Sequence, residues 1–504
     1  MVRFSFKTPL ITGLVIASVF ACVNEQVLPP TGSNPNARAG TEHSDFTIRR
    51  GHYILVAATD KLPANLATDV AKANGRIGTL MGRVGMATAT SEDPNFATKA
   101  ARIAGIQSVV ADVSAQWVEP LKVVDYDENI GAQGINPPTS ANANPRFNLQ
   151  WGHDAIDAPE AWQAGYKGAG VRVAVLDNGF DLDHPDLEGN IVYKQSFVPG
   201  QGAQFVGNGF SHGTHTAGTV AALDNDIGVI GVAPSAKLLL IKVLSDAGSG
   251  QFSWMLQGIL DAVEQDADII SMSLGGYLPR NGKFLDDNGT PGDPSDDFVV
   301  SETKAVQELI TIMTRVINFA HRQGVTVIAS AGNSSIDGNQ DQSGITLPGN
   351  LPNVVCISAT GPMGWAVNPA TNLDRFASYS NYGTPDITLA APGGDFKLPG
   401  NSFCTVAGVT RLCWVFDLVL STGNTPGTAP ARYSWAAGTS MAAPHVAGVA
   451  ALIIGKNGGS MDPVRVEAAL KASANDLGAP GRDPYYGQGR VNAYKAVTGS
   501  SLPQ

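Results

Sequence analysis

From residue 147 onward, short uninterrupted apolar runs alternate with longer stretches in which apolar residues recur at every third or fourth position. The runs at 171–176, 237–243, 268–273, 325–330, 353–358 and 387–390 read as strands, and 250–266 and 301–323 read as helices. A strand that is apolar along its length is buried on both faces, and strands that alternate with helices are joined by crossovers. The pattern therefore predicts an α/β fold: a doubly wound, mostly parallel sheet covered by helices on both faces. Reacting groups in such sheets gather beyond the carboxyl ends of the strands.

Residues 47–120 have a different pattern of strand, helix, short apolar segment, helix and strand, which is a small α+β domain of its own. Residues 121–146 lose that periodicity, and Pro137-Pro138 with a Ser/Asn run marks an exposed linker open to cleavage. Residues 22–46 have the Pro, Gly, Asn and Thr content of a tether. Residues 1–21 carry Arg3 and Lys7 ahead of an apolar run that ends in small residues, as a cleavable export signal does. That run is too short to span a hydrocarbon core of ~30 Å. Val19-Phe20-Ala21-Cys22 resembles the bacterial lipobox, in which Cys22 would be lipidated and attach the protein to a membrane. Cleavage after Ala21 would release it instead, and either route carries the chain out of the cytoplasm.

Composition narrows the partners. The 504 residues include 33 Lys or Arg and 44 Asp or Glu, a formal charge of −11 with no long basic run, so nucleic acid is excluded as a partner. Charged residues make up 15%. The usual share is about 25%, and this deficit excludes a solvated disordered chain or a coiled coil. The four cysteines make no paired C-x-x-C, which excludes a thiolate zinc site. Cys404 and Cys413 either close a short surface loop as a disulfide or stay two free thiols, while Cys356 sits in an apolar run and reads as a buried small hydrophobe.

Three segments put reactive groups at strand or helix ends. Asp177 closes the apolar run Val175-Leu176, so its carboxylate needs a cationic or N–H partner, which an imidazole supplies. His212 opens a helix of small residues in Ser211-His212-Gly213-Thr214-His215. Ser440 precedes Met441-Ala442-Ala443-Pro444, where Pro suits a first helical turn, so its hydroxyl sits at a positive helix end. Taken singly, each is as readily a turn or helix cap. His212 and His215 lack the third-ligand spacing of a metal site, and His215 and His445 read as packing residues. The glycines of 165–170 precede their strand, whereas a nucleotide fingerprint follows one, so they form a turn.

Together, and in this order, LDNGFDLDHPDL, SHGTHTAGTVAAL, SAGN and GTSMAAPHVAGVAALI resemble the subtilisin family of serine proteases, over about Trp151 to Val497. The resemblance implies a peptidase domain over 147–498 in which Asp177 orients His212, His212 serves as general base and acid, and Ser440 is the nucleophile. It makes Asn333 an oxyanion donor beside the Ser440 N–H. It also places two peptide-binding strand edges at Ser273-Leu274-Gly275-Gly276 and Ser330-Ala331-Gly332, with Thr346 at the floor of the first specificity pocket.

The stretch 223–229 resembles the family's calcium loop, which implies a structural Ca²⁺ held by Leu223, Asn225, Ile227 and Val229 together with Asp186. The segment 147–150 does not match the family's N-terminal ligand. No catalytic metal and no nucleotide are implied. By position and size, 47–120 resembles the family's inhibitory propeptide, to be cut away by Ser440 within 121–146. The expectation is an exported serine endopeptidase, made as a self-inhibited zymogen, acting as a monomer on proteins or peptides.

Overall fold

A computed structural model of the chain describes residues 45–118, 121–126, 144–207, 209–288, 290, 293, 295–424 and 432–502. The signal at 1–21, Cys22 and nearly all of the tether lie outside the described residues, as do 127–143 of the expected linker. No helix among the described residues is long and apolar enough to cross a membrane.

The chain begins with β1 (Phe46–Ala57), α1 (Leu66–Lys72), β2 (Arg76–Met81), β3 (Met86–Thr90), α2 (Phe96–Ala100) and β4 (Ile106–Gln116). These strands pair antiparallel in the order β4-β1-β3-β2. Leu55, Leu66, Val70, Phe96 and Ala100 pack beneath them as a small core. The short apolar segment of the sequence resolves into two strands because Gly85, with φ of 63°, allows a tight reversal between them.

Next comes β5 (Lys122–Tyr126), inside the stretch read as linker. Only the first few linker residues form it: an alternation this short falls below what periodicity can reveal, and its pairing partner lies some 300 residues on.

The main body follows as α3 (Trp151–Ala155), α4 (Ala158–Gln163), β6 (Arg172–Asp177), β7 (Ile191–Ser196), α5 (His212–Ala221), β8 (Lys237–Lys242), β9 (Ser249–Gln251) and α6 (Phe252–Glu264). Then come β10 (Ile269–Met272), β11 (Gly276–Pro279), β12 (Lys283–Asp286), β13 (Phe298–Ser301), α7 (Thr303–Arg322), β14 (Thr326–Ser330), β15 (Gly344–Leu347), β16 (Val354–Thr360) and β17 (Leu389–Pro392). The chain closes with β18 (Phe403–Val406), β19 (Val409–Leu412), β20 (Val419–Thr422), β21 (Tyr433–Ala437), α8 (Thr439–Lys456), α9 (Pro463–Ser473) and α10 (Ala493–Thr498).

Seven strands form the predicted parallel sheet in the order β17-β16-β14-β10-β6-β8-β7. Each central strand sends alternate residues to opposite faces. Val173, Val175, Leu238, Leu240 and Ile328 join the core beneath α5 and α8, while Ala174, Leu176, Leu239, Ile241 and Val327 join the one beneath α6 and α7. The edge strand β7 escaped the sequence reading because its second half, Lys194-Gln195-Ser196, is polar.

The N-terminal sheet does not stop at its own last strand. β1 pairs in parallel with β12, and β4 pairs antiparallel with β9. Arg49 and Arg50 hold Asp287 and Asp286 at 3.2 and 2.7 Å across the first junction. Asp112 of β4 caps α6 across the second, accepting from the Ser253 N–H at 3.2 Å and the Ser253 hydroxyl at 2.6 Å. Gln251, at the cap position of α6, makes no side-chain cap of its own. Cys404 and Cys413 form a disulfide across hairpin β18–β19, and Cys356 is a buried free thiol.

Candidate active site

Asp177 is the last residue of β6, and His212 is the first of α5. Both are buried, and His212 Nδ1 lies 2.9 Å from each carboxylate oxygen of Asp177. The carboxylate also accepts from the Asn178 N–H at 2.7 Å and the Thr216 hydroxyl at 3.1 Å. With Asp177 as acceptor, Nδ1 carries the proton and Nε2 is left as the basic nitrogen. Nε2 is buried with no hydrogen-bond partner among the described residues.

Lys242 stands opposite Asp177 on β8. It is fully buried, and its ammonium donates to the Asn178 carbonyl and to Asp246. Burial pulls the Lys242 ammonium below its usual pKa, against the opposing pull of Asp246 and Asp177.

Ser440 is the second residue of α8, and its N–H lies in the unsatisfied first turn. Its hydroxyl donates to the Ser273 carbonyl at 3.1 Å, and the Ser273 hydroxyl donates back to the Ser440 carbonyl at 2.7 Å. The return bond has a cause in the helix. Pro444 lies inside α8, one turn beyond the position the sequence suggested, and cannot donate to the carbonyl four residues earlier. That carbonyl belongs to Ser440, and Ser273 satisfies it.

Asn333 follows the carboxyl end of β14, and its Oδ1 accepts from Thr439. Asn333, Ser440, Leu274, Gly275, Gly276, Ser330, Gly332 and Thr346 line one cleft of about 510 Å³. Ser273 and Ala331 are buried behind it, and the Ala331 carbonyl accepts from Asn381 Nδ2 at 2.9 Å. Gly332, with φ of 99°, turns the chain sharply there. The cleft is also lined by Asp45, Gln116, Trp117 and Leu121 from the N-terminal part of the chain. The Trp117 N–H donates to the Gly248 carbonyl and its carbonyl accepts from the Gly275 N–H, both at 3.0 Å. β5 then pairs with β21, which leads straight into Gly438, Thr439 and Ser440. The chain is therefore anchored in extended form on both sides of Ser440.

His215 and His445 pack. His215 Nε2 lies 3.1 and 3.0 Å from the carbonyls of Val419 and Ser434, and burial lowers its pKa to about 3. His445 Nδ1 contacts the Met441 carbonyl at 2.7 Å, and burial lowers it to about 4.

In the loop after α5, the carbonyls of Leu223 and Val229 converge on Asn144 Nδ2 at 3.0 and 2.7 Å. Asp186 flanks them, its Oδ2 accepting from the Val229 N–H at 2.9 Å, and Asn225 Nδ2 reaches the Pro185 carbonyl at 3.2 Å. Oxygens from separate parts of the chain aimed at one point fit a hard cation. Here the Asn144 amide satisfies two of them.

Sequence reasoning missed Thr216, Thr439, Lys242, Asn144 and Asp112. Only Thr216 left a signal: four residues after His212 on one helix, it shares that residue's face.

A buried Asp–His pair, a helix-terminal serine and a cleft lined by extended chain together define a serine-type endopeptidase on a parallel α/β sheet. The profile of the subtilase family matches residues 168–489. The chain belongs to the subtilase family. It is 34% identical to subtilisin of Bacillus pumilus over 352 residues, covering 69% of this chain and 99% of that protein. It is 32% identical to thermitase of Thermoactinomyces vulgaris, covering 70% and 98%. Among solved structures, the epidermin leader peptide processing serine protease of Staphylococcus aureus is similar in fold, with TM-score 0.66, 20% identity, and 90% of this chain and 99% of that chain covered.

Proposed function

We propose that the protein is an exported, self-processing serine endopeptidase that hydrolyses peptide bonds through Asp177, His212 and Ser440. Ser440 Oγ attacks the substrate carbonyl carbon as its proton passes to His212 Nε2, and Asp177 balances the imidazolium. The Ser440 N–H and Asn333 Nδ2 donate to the oxyanion. His212 then protonates the departing amine, and water repeats the cycle on the acyl-enzyme. Ser440 first has to turn its hydroxyl from the Ser273 carbonyl to His212, an alignment of the kind that tightens only when substrate is bound.

The observation that carries this reading is the Asp177–His212 contact at 2.9 Å, with the opposite ring nitrogen left without a partner. Self-processing is supported by the path of the chain, which enters the cleft with Trp117 and leaves along β21. A cut between those anchors would separate residues 47–118 as an inhibitory unit, with the peptidase domain downstream. Export is supported by the apolar N-terminal run and by an oxidised Cys404–Cys413 pair, which belongs to an oxidising compartment. Lipidation at Cys22 would fix the uncut chain, and after the cut its N-terminal fragment, to a membrane surface. We also place a structural Ca²⁺ among Asp186, Leu223, Asn225, Ile227 and Val229, taken in exchange for the Asn144 hydrogen bonds.

Intact mass and labelling by a serine-directed phosphonate, compared between wild type and Ser440→Ala, test the proposal. The wild type should lose an N-terminal fragment and take up the probe at Ser440, and the variant should do neither. A wild type that stays whole and unlabelled after limited proteolysis would sink it.

A further inference from the structure

β5 runs antiparallel along β21, from Lys122 opposite Ala437 to Tyr126 opposite Tyr433. Alternate residues of a strand share a face, so Lys122, Val124 and Tyr126 point the same way, and each meets a formed surface. The Lys122 ammonium stands 5.0 Å from the centre of the Trp414 ring. Val124 packs against the core. Tyr126 is fully buried, edge-on to Trp435 with ring centres 5.1 Å apart. The guanidinium groups of Arg146 and Arg411 lie over its ring at 4.7 and 5.9 Å. Arg411 and Trp414 lie two residues before and one residue after Cys413, next to the Cys404–Cys413 bond.

Resting on the peptidase reading, we infer that this surface is the recognition groove for the part of a protein substrate that lies C-terminal to the cut. It selects an extended segment with a cation at the Lys122 position, an aliphatic residue at that of Val124 and an aromatic ring at that of Tyr126. Backbone pairing with β21 accepts any sequence, and the choice comes from the side-chain surfaces. Trp414 supplies the face for the cation. Trp435 and the two arginines form the socket for the ring, where burial and edge contact both contribute. The chain's own residues 122–126 fill the groove as a substrate would, and they give way to substrate once the chain is cut.

The test uses the processed enzyme and three internally quenched peptides: one with the sequence of residues 113–128, one carrying Lys122→Gln and one carrying Tyr126→Ala. Relative to the first, kcat/KM should fall about two- to fivefold for Lys122→Gln and roughly tenfold or more for Tyr126→Ala. Enzyme carrying Trp414→Leu should lose the lysine preference, and Trp414→Phe should keep part of it. Both variants should hydrolyse an apolar tetrapeptide p-nitroanilide, which has nothing beyond the cut, at the wild-type rate. Equal kcat/KM for the three peptides, including no cleavage of any, overturns the groove, as would happen if residues 122–126 stayed in place. A lysine preference that survives Trp414→Leu also overturns it. Wild-type enzyme that fails on the p-nitroanilide overturns the peptidase reading instead.

Discussion

Thr439 donates both its backbone N–H and its hydroxyl to Asn333 Oδ1, at 2.9 and 2.8 Å. Two donors on one oxygen fix which end of the carboxamide faces them, so the amino end is turned to the cleft. Asn333→Ala should lower kcat by about 10²–10³ with little change in KM, a magnitude taken from a subtilisin that lost one such donor. Thr439→Val keeps one of the two bonds and should cost less. Steady-state kinetics on a short anilide substrate separates the two, and equal losses would show that Thr439 acts on something besides Asn333.

Ser273 and Ser440 exchange hydrogen bonds because Pro444 leaves the Ser440 carbonyl without its helical donor. Ser273→Ala should strand that buried carbonyl and cost about 1–3 kcal/mol of stability. Urea unfolding in a Ser440→Ala background, which removes self-digestion, measures the difference. No change in the midpoint would mean that water replaces the hydroxyl.

Burial pushes the Asp112 carboxyl up to about 6, against the pull of its bonds from Ser253 and Val113. Undocked in water, it would titrate near about 4. The docked unit thus holds a proton more tightly than the free one. Docking is strongest below the free value and weakens as pH rises through the docked one, by up to about tenfold per unit in that window. After the cut, more N-terminal fragment should co-elute with phosphonate-inhibited enzyme at pH 5 than at pH 7.5. Asp112→Asn should flatten that dependence, and an unchanged profile in the variant would remove Asp112 as its source.

Asn144 bridges the carbonyls of Leu223 and Val229 and accepts from the Asp226 N–H at 3.0 Å. With chelator present, Asn144→Ala should lower the melting temperature, since those carbonyls lose their donor. Added calcium should restore more of the loss in the variant than it adds to the wild type. Scanning calorimetry with and without calcium decides this, and a variant indifferent to calcium would argue against the cation site.

The parallel sheet was legible because its strands are apolar at nearly every position, as in Lys237–Lys242, whose polar ends bracket four buried aliphatic residues. The reactive residues were legible because each stands at a strand or helix end, where backbone groups are free. Their supporting partners were not. Thr439 and Lys242 act through contacts that carry no spacing rule, and Asp112 caps a helix some 140 residues away. β5 exists only as the partner of a distant edge, and β12 is a four-residue strand paired with β13 and with the distant β1, so short mixed sequences such as Lys283–Asp286 give no local sign of being strands.

Thr47 and Ile48 cover the outer edge of β12 only while the N-terminal unit stays docked. If the proposed cut releases that unit, hairpin β12–β13 would turn a bare row of N–H and C=O groups toward solvent, close to the exposed Phe298 and Val299. Such an edge invites intermolecular pairing and aggregation. Asp286 and Asp287, stripped of Arg50 and Arg49, then set two like charges on it that repel a second copy of the same edge. Under the proposed processing, the pair that clasps the N-terminal unit would become, in the released peptidase, a guard against self-association.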